Sequence, residues 1–210
     1  MFGIHDLTLF IISGLLLNIM PGPDSLLIMT RSATQGWRAG VAAVMGICTG
    51  TMVHVLAAAI GLSAILATSA TAFMVVKIVG AAYILYMAVG LLLSKRKDPA
   101  KATTIPPLPY RKIYLQGLLT NVLNPKVAIF FLAFVPQFID AGAASKPLAF
   151  VILGCIFNFN GMLWSVALAV FTGMASARLK VSPAVSLWLN RVTGGLFVWL
   201  GIKLALSKQH

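Results

Sequence analysis

Asp24 follows directly on Pro21-Gly22-Pro23, and Lys126 follows directly on Asn124-Pro125. Each site sets a charge beside proline, inside a stretch otherwise made largely of apolar residues. Proline removes a backbone donor and clashes with the preceding turn, so both sites should interrupt a helix. Away from water, freed backbone groups are tolerated only where protein or a water-filled cavity satisfies them. Exposed helix ends of this kind suit a zwitterion: amide donors for a carboxylate, carbonyls for an ammonium. The plainer alternative is a simple kink, or a break close to a membrane surface.

Asp24 is one of four acidic residues and the one placed well within an apolar run. Asp6 and Asp140 stand near run ends, and Asp98 lies in a basic segment. A carboxylate inside a membrane is costly, so function is the default expectation. Asp24 can bind a substrate ammonium or carry a coupling proton; it can also cap the helix after Pro23 or pair with Lys126. Lys126 can hold a substrate carboxylate, neutralise Asp24, or snorkel to an interface. Asn18 and Asn121 are divided between interhelical packing and substrate contact.

Gly46, Gly50 and His54 recur every four residues, which puts them on one helix face. The glycines read as small residues that let helices approach closely. His54 either packs in that contact or relays protons, since its ordinary pKa is near neutrality. Asn158, Asn160 and Trp164 are further polar candidates, while Cys48 and Cys155 read as small apolar fillers. There is no phosphate loop, no paired-histidine zinc motif and no evident nucleophile–base pair. No catalytic residue, metal site or cofactor is therefore expected, and the chain does not read as an enzyme.

These residues need elements to hold them, and the composition says which. The chain has 210 residues, 60% of them hydrophobic and 10% charged. Soluble domains run nearer about 45–50% apolar and about 25% charged. The mean hydropathy of +0.96 agrees. Disorder is excluded by the apolar content, and a disulfide scaffold by having 2 cysteines. The net charge of +12 would suit nucleic acid, but the hydropathy overrides it; in a membrane protein a basic excess belongs to cytoplasmic loops. A spanning helix takes about 20 apolar residues. The apolar runs give six candidates: 4–29, 39–66, 72–93, 114–139, 148–175 and 185–206. Strict alternation is lacking, which argues for helices over a barrel.

The fold class is thus an all-α integral membrane protein with six spans in a single domain. Gly14-Leu15-Leu16-Leu17-Asn18-Ile19-Met20 matches Gly117-Leu118-Leu119-Thr120-Asn121-Val122-Leu123, and each segment runs into a proline break. Lys77–Gly80, followed by Tyr83, echoes Arg191–Gly194, followed by Phe197. The chain then reads as two three-span repeats, about 1–94 and about 113–210, joined by a basic, Pro-rich loop at about 95–112. An odd number of spans per repeat inverts one against the other, the plan of many secondary transporters. Arg31 and Arg38, the loop's six cations, and Arg178 and Lys180 follow spans 1, 3 and 5. The positive-inside rule makes those loops cytoplasmic and puts both termini outside.

Taken together, Pro21–Asp24, Gln35–Gly40, Gly46–His54, Gly80–Tyr83 and Asn121–Phe138 with its Asn-Pro-Lys resemble the LysE/RhtB family of amino-acid exporters, over nearly the whole chain. The resemblance implies export of amino acids or their derivatives from a bacterial cytoplasm, across the inner membrane, driven by protons or the membrane potential. It implies substrate roles for Pro21, Gly22, Pro23, Asp24, Asn124, Pro125 and Lys126, beside the candidates Asn18 and Asn121. Asp24 and His54 are the candidates for proton coupling. The expected partners are an amino acid, protons and lipid, with self-association open and no nucleic acid. A single acidic residue within the spans favours neutral or zwitterionic substrates over dicationic ones. A metal-cation exporter on the same architecture is the alternative, although two separated cysteines and one such aspartate support it poorly.

Overall fold

Pro21-Gly22-Pro23 divides the first apolar run into two helices. Helix α1 spans Leu7–Ile19 and α2 spans Pro23–Gln35, and the two are bent by 53°. Pro23 sits at the first helical position, where its missing N–H has no partner to lose. At about 1.5 Å per residue each half is about 20 Å long, so the break lies near the middle of the span. The chain reverses at Gly36, whose φ of 83° suits a residue without a side chain. It returns as α3, Trp37–Ala57, extended by one π-helical turn over Ala58–Leu62.

The computed structural model describes residues 2–62 and 107–175, with single positions between 71 and 93 and between 191 and 202. Most of the third and sixth apolar runs, of their sequence echo and of the basic loop lies outside the described residues. Pro109 caps α4, Tyr110–Val122, so the helix begins inside the end of the basic segment. Asn124-Pro125 then breaks the chain again. Helix α5, Pro125–Ile129, continues through a π turn at Phe130–Phe134 and a 3-10 turn at Val135–Phe138. This second broken pair is bent by 47°. Helix α6 runs unbroken over Lys146–Ala175.

Among the described residues, α3 and α6 are each long and apolar enough to cross a membrane, and each bent pair can act as one further span. The chain is a helical, multi-pass membrane protein. Many large apolar side chains face outward on these helices, among them Leu26, Met45, Leu56, Leu119, Phe159 and Phe171. Lipid, not water, is the fitting solvent for that surface.

Two apolar clusters fill the interior. One is aromatic: Phe10, Phe130, Phe131, Phe134, Phe138, Phe150 and Phe157 pack at α1, α5 and α6. Phe130 and Phe157 lie 4.6 Å apart by ring centroid. The other is built of small and branched residues, Ile28, Ala39, Ala43, Val44, Ile47, Ile113 and Ala169. There α3 and α4 approach backbone to backbone. A side chain at Gly46 would strike the Tyr114 carbonyl, and one at Gly117 the Ala43 carbonyl. At the far end of α5, Ile4 bridges Ile139, while His5 N–H donates to Phe138 O and Asp140 N–H to Gly3 O. The N-terminal segment is thereby fastened to the second half of the chain.

One reading needs correction. Hydropathy ends span 1 at Met29 and puts Arg31 in a loop. Instead α2 continues to Gln35, and Arg31 is 6% exposed within the bundle. Its guanidinium has amide oxygens to bond, so tertiary contacts carry the helix past the point where apolar residues stop.

Candidate functional site

The two helix breaks face each other and are cross-braced. Asn124 caps α5, its Oδ1 accepting the Lys126 N–H at 3.0 Å. Its Nδ2 donates to Asp24 Oδ2 at 3.0 Å, and Asn121 Nδ2 donates to the same oxygen at 2.8 Å. The second break therefore grips the first turn of α2, where a carboxylate also meets the positive end of the helix dipole. In return, Lys126 Nζ donates to Leu17 O at 3.1 Å and Met20 O at 3.2 Å. These carbonyls end α1 and lack a helical donor, and a cation is favoured at that negative end. Gly22 makes room for this: a side-chain carbon there would stand 3.2 Å from Nζ.

The pairing of Asp24 with Lys126 left open by the sequence does not form. Among the described residues no ion pair joins them. Each is held by neutral groups of the opposite break.

Behind Asn121 stands a second layer. Thr51 Oγ1 lies 3.3 Å from Asn121 Oδ1, and His54 Nε2 donates to the Asn121 carbonyl at 3.0 Å. The His54 ring stacks over Phe131 with centroids 6.4 Å apart. Gly50 is what lets Asn121 come so close to α3, for a side-chain carbon there would meet Asn121 Oδ1 at 2.9 Å.

Between the breaks, α3 and α6 lies a cavity of about 30 Å³. That is room for roughly two waters, and an amino acid needs the walls to part. Asn18, Asp24, Asn121 and Lys126 line it, together with Ser25, Cys48, Thr51, Asn158 and Ser165. Leu17, Ile47, Val127 and Phe157 supply apolar wall from both clusters. Asn18 lies against Gly161 of α6, where a side-chain carbon would stand 3.0 Å from Oδ1. Two polar atoms at this cavity are buried without a partner: Asp24 Oδ1, an acceptor, and Asn18 Nδ2, a donor. Such an atom costs about 1–3 kcal/mol, so a ligand that satisfies both gains that back.

The residues predicted from sequence thus divide by position. Asn18, Asp24, Asn121 and Lys126 stand in the cavity wall. Pro21, Gly22, Pro23, Asn124 and Pro125 shape the breaks, with Pro23 and Pro125 exposed at the starts of α2 and α5. His54 acts from behind Asn121. Cys48 is a wall residue rather than a filler, and its carbonyl accepts from Asn158 Nδ2 at 3.3 Å. Ser25, Thr51 and Ser165 are added by the structure, because small hydroxyl residues carry no distinctive spacing. Asn160 and Trp164 are absent from the wall, and Trp164 Nε1 is buried without a partner.

The family model for the LysE type translocator matches residues 15–208. An uncharacterized membrane protein of Pseudomonas aeruginosa is 31% identical over 98% of this chain and 97% of its own. An uncharacterized membrane protein of Bacillus subtilis is 30% identical over 97% of this chain and 100% of its own. The leucine efflux protein of Salmonella typhimurium is 24% identical over 97% and 96%. No solved structure matches the chain. The match covers both breaks and the whole cavity wall, and the chain belongs to the LysE type translocator family.

Proposed function

We propose that the chain is a secondary exporter of neutral, zwitterionic amino acids from the bacterial cytoplasm across the inner membrane. One observation carries this reading: an unpartnered carboxylate oxygen, Asp24 Oδ1, and an unpartnered amide donor, Asn18 Nδ2, at one cavity between two broken helices. An α-amino acid brings the complement of both. Its ammonium binds Asp24, and its carboxylate accepts from Asn18. Lys126 stays with the α1 carbonyls and biases the cavity toward a carboxylate by its charge. A second cationic group on the substrate would find no further carboxylate at this cavity and would stand near Lys126, which disfavours dicationic amino acids. The leucine efflux protein among the relatives supports the substrate class.

In this reading six spans form two inverted repeats, with both termini outside. Alternating access tilts one broken helix against the other and opens the cavity to each side in turn. Ammonium and proton compete for one carboxylate, so proton entry on Asp24 releases the amino acid outside, and His54 supports this through Asn121. Membrane potential adds drive to any step that moves net charge. The metal-cation alternative gains no support: among the described residues, no three His, Cys, Asp or Glu side chains gather to hold an ion.

The test is efflux. Cells with and without the chain are loaded with dipeptides that release one amino acid inside, and the extracellular amino acids are followed. Faster efflux of leucine or another neutral amino acid is expected. Equal rates for every amino acid in both strains would overturn the reading.

A further inference from the structure

Arg31 lies on α2 seven residues beyond Asp24, with Ile28 between them on the same face. The rise of the helix separates their backbone positions by about 10 Å along its axis. Arg31 is 6% exposed, and its guanidinium carries a permanent charge. Its partners are neutral. Nη2 donates to Gln116 Oε1 at 2.9 Å, and Nη1 to Gln35 Oε1 at 3.3 Å. Nε–H is buried with no acceptor, and among the described residues no carboxylate is within ion-pair reach.

Gln35 is already committed elsewhere. Its Oε1 also accepts the Leu108 N–H at 3.0 Å, and its Nε2 donates to Leu108 O at 3.0 Å. Among the described residues, Arg31 is thus a buried cation without a compensating anion. Leaving such a charge unpaired is costly unless a partner arrives in another state of the molecule. The Arg31–Gln116 bond also joins the two halves of the chain, α2 to α4, at the end that the positive-inside rule makes cytoplasmic. Any opening on that side has to part it.

We propose that Arg31 forms a cytoplasmic entry station that takes the carboxylate of the amino acid, exchanging its bond to Gln116 for a charge-assisted fork to the substrate. This rests on the exporter reading above. A guanidinium prefers a carboxylate to a neutral amide oxygen, so the incoming substrate drives the exchange. The backbone positions stand about 10 Å apart along α2, and the guanidinium reaches toward Gln35, one turn further from Asp24, so the two do not hold both ends of one α-amino acid together. Arg31 receives first, and Asp24 holds afterward, one step deeper along the same helix face.

Everted membrane vesicles, whose outer surface is the cytoplasmic face, test this. Uptake of labelled leucine is measured against concentration, with unlabelled leucinamide as a competitor that lacks the carboxylate. At equal amounts in the membrane, Arg31→Gln is expected to raise the half-saturation concentration for leucine about tenfold or more. Inhibition by leucinamide should be unchanged. Arg31→Lys keeps the charge without the fork, and its half-saturation should fall between the two; it also serves if Arg31→Gln fails to accumulate. An equal loss for leucine and leucinamide, or a lower maximal rate at unchanged half-saturation, would overturn the entry station and leave the exporter standing. No leucine uptake by the parent chain would overturn the leucine-exporter reading and this station with it.

Discussion

At the scale of single residues, the cavity is defined by what its polar atoms lack. Asp24 uses one oxygen on Asn121 and Asn124 and leaves the other unpaired; Asn18 leaves its donor unpaired. Lys126, a ligand candidate in the sequence, lines the cavity and donates to the carbonyls at the end of α1. These assignments separate by experiment. Asn18→Leu removes a buried donor that no group in the protein satisfies, so stability to unfolding in detergent should hold or rise, by about 1 kcal/mol. The half-saturation for leucine should rise about tenfold. A large loss of stability with unchanged half-saturation would make Asn18 a packing residue. The sequence singled out Asn18, Asp24, Asn121 and Lys126 because charge and amide side chains are conspicuous among apolar ones. It did not decide their partners, since an Asp and a Lys at matched breaks suggest an ion pair as readily as the cross-brace that forms. Arg31 was missed outright. Hydropathy assigns a cation near a span end to water, and only contact with Gln116 across the bundle shows otherwise.

At the scale of elements, two proline breaks and one glycine-lined contact position everything. The breaks were legible because proline acts on its own turn, whatever the rest of the chain does. Their angles and their mutual bracing were not, because both depend on groups about a hundred residues apart. Gly46 and Gly50 announced a close helix contact by their spacing; that the partner would be α4, answering with Gly117, needed the fold. Helix α2 outran its apolar stretch because Arg31 and Gln35 bond across to Gln116 and Leu108. The α3–α4 contact has a testable tolerance. A methyl at Gly117 meets the Ala43 carbonyl, and backbone yields less readily than a side-chain tip. Gly117→Ala should therefore destabilise by about 1–3 kcal/mol in thermal unfolding, as overpacking does. Unchanged stability would mean that α3 and α4 stand further apart than described.

At the scale of the whole molecule, a polar cavity sits at the seam between an aromatic cluster and a cluster of small residues. Its volume of about 30 Å³ excludes an amino acid, so transport requires the walls to move. Cys48 reports that motion, because it lines the cavity while Cys155 faces outward. With Cys155→Ser as background, a water-soluble maleimide should label Cys48 slowly, and saturating leucine should slow it several-fold further. A rate indifferent to leucine would place the substrate elsewhere. The central claim is that amino acids leave the cell by way of Asp24. Its most direct test is efflux from cells loaded with a leucine-releasing dipeptide, comparing the parent with Asp24→Asn at equal membrane abundance. The account predicts that the parent raises leucine efflux and that Asp24→Asn returns it to the level of cells lacking the chain. Undiminished efflux by Asp24→Asn would contradict it.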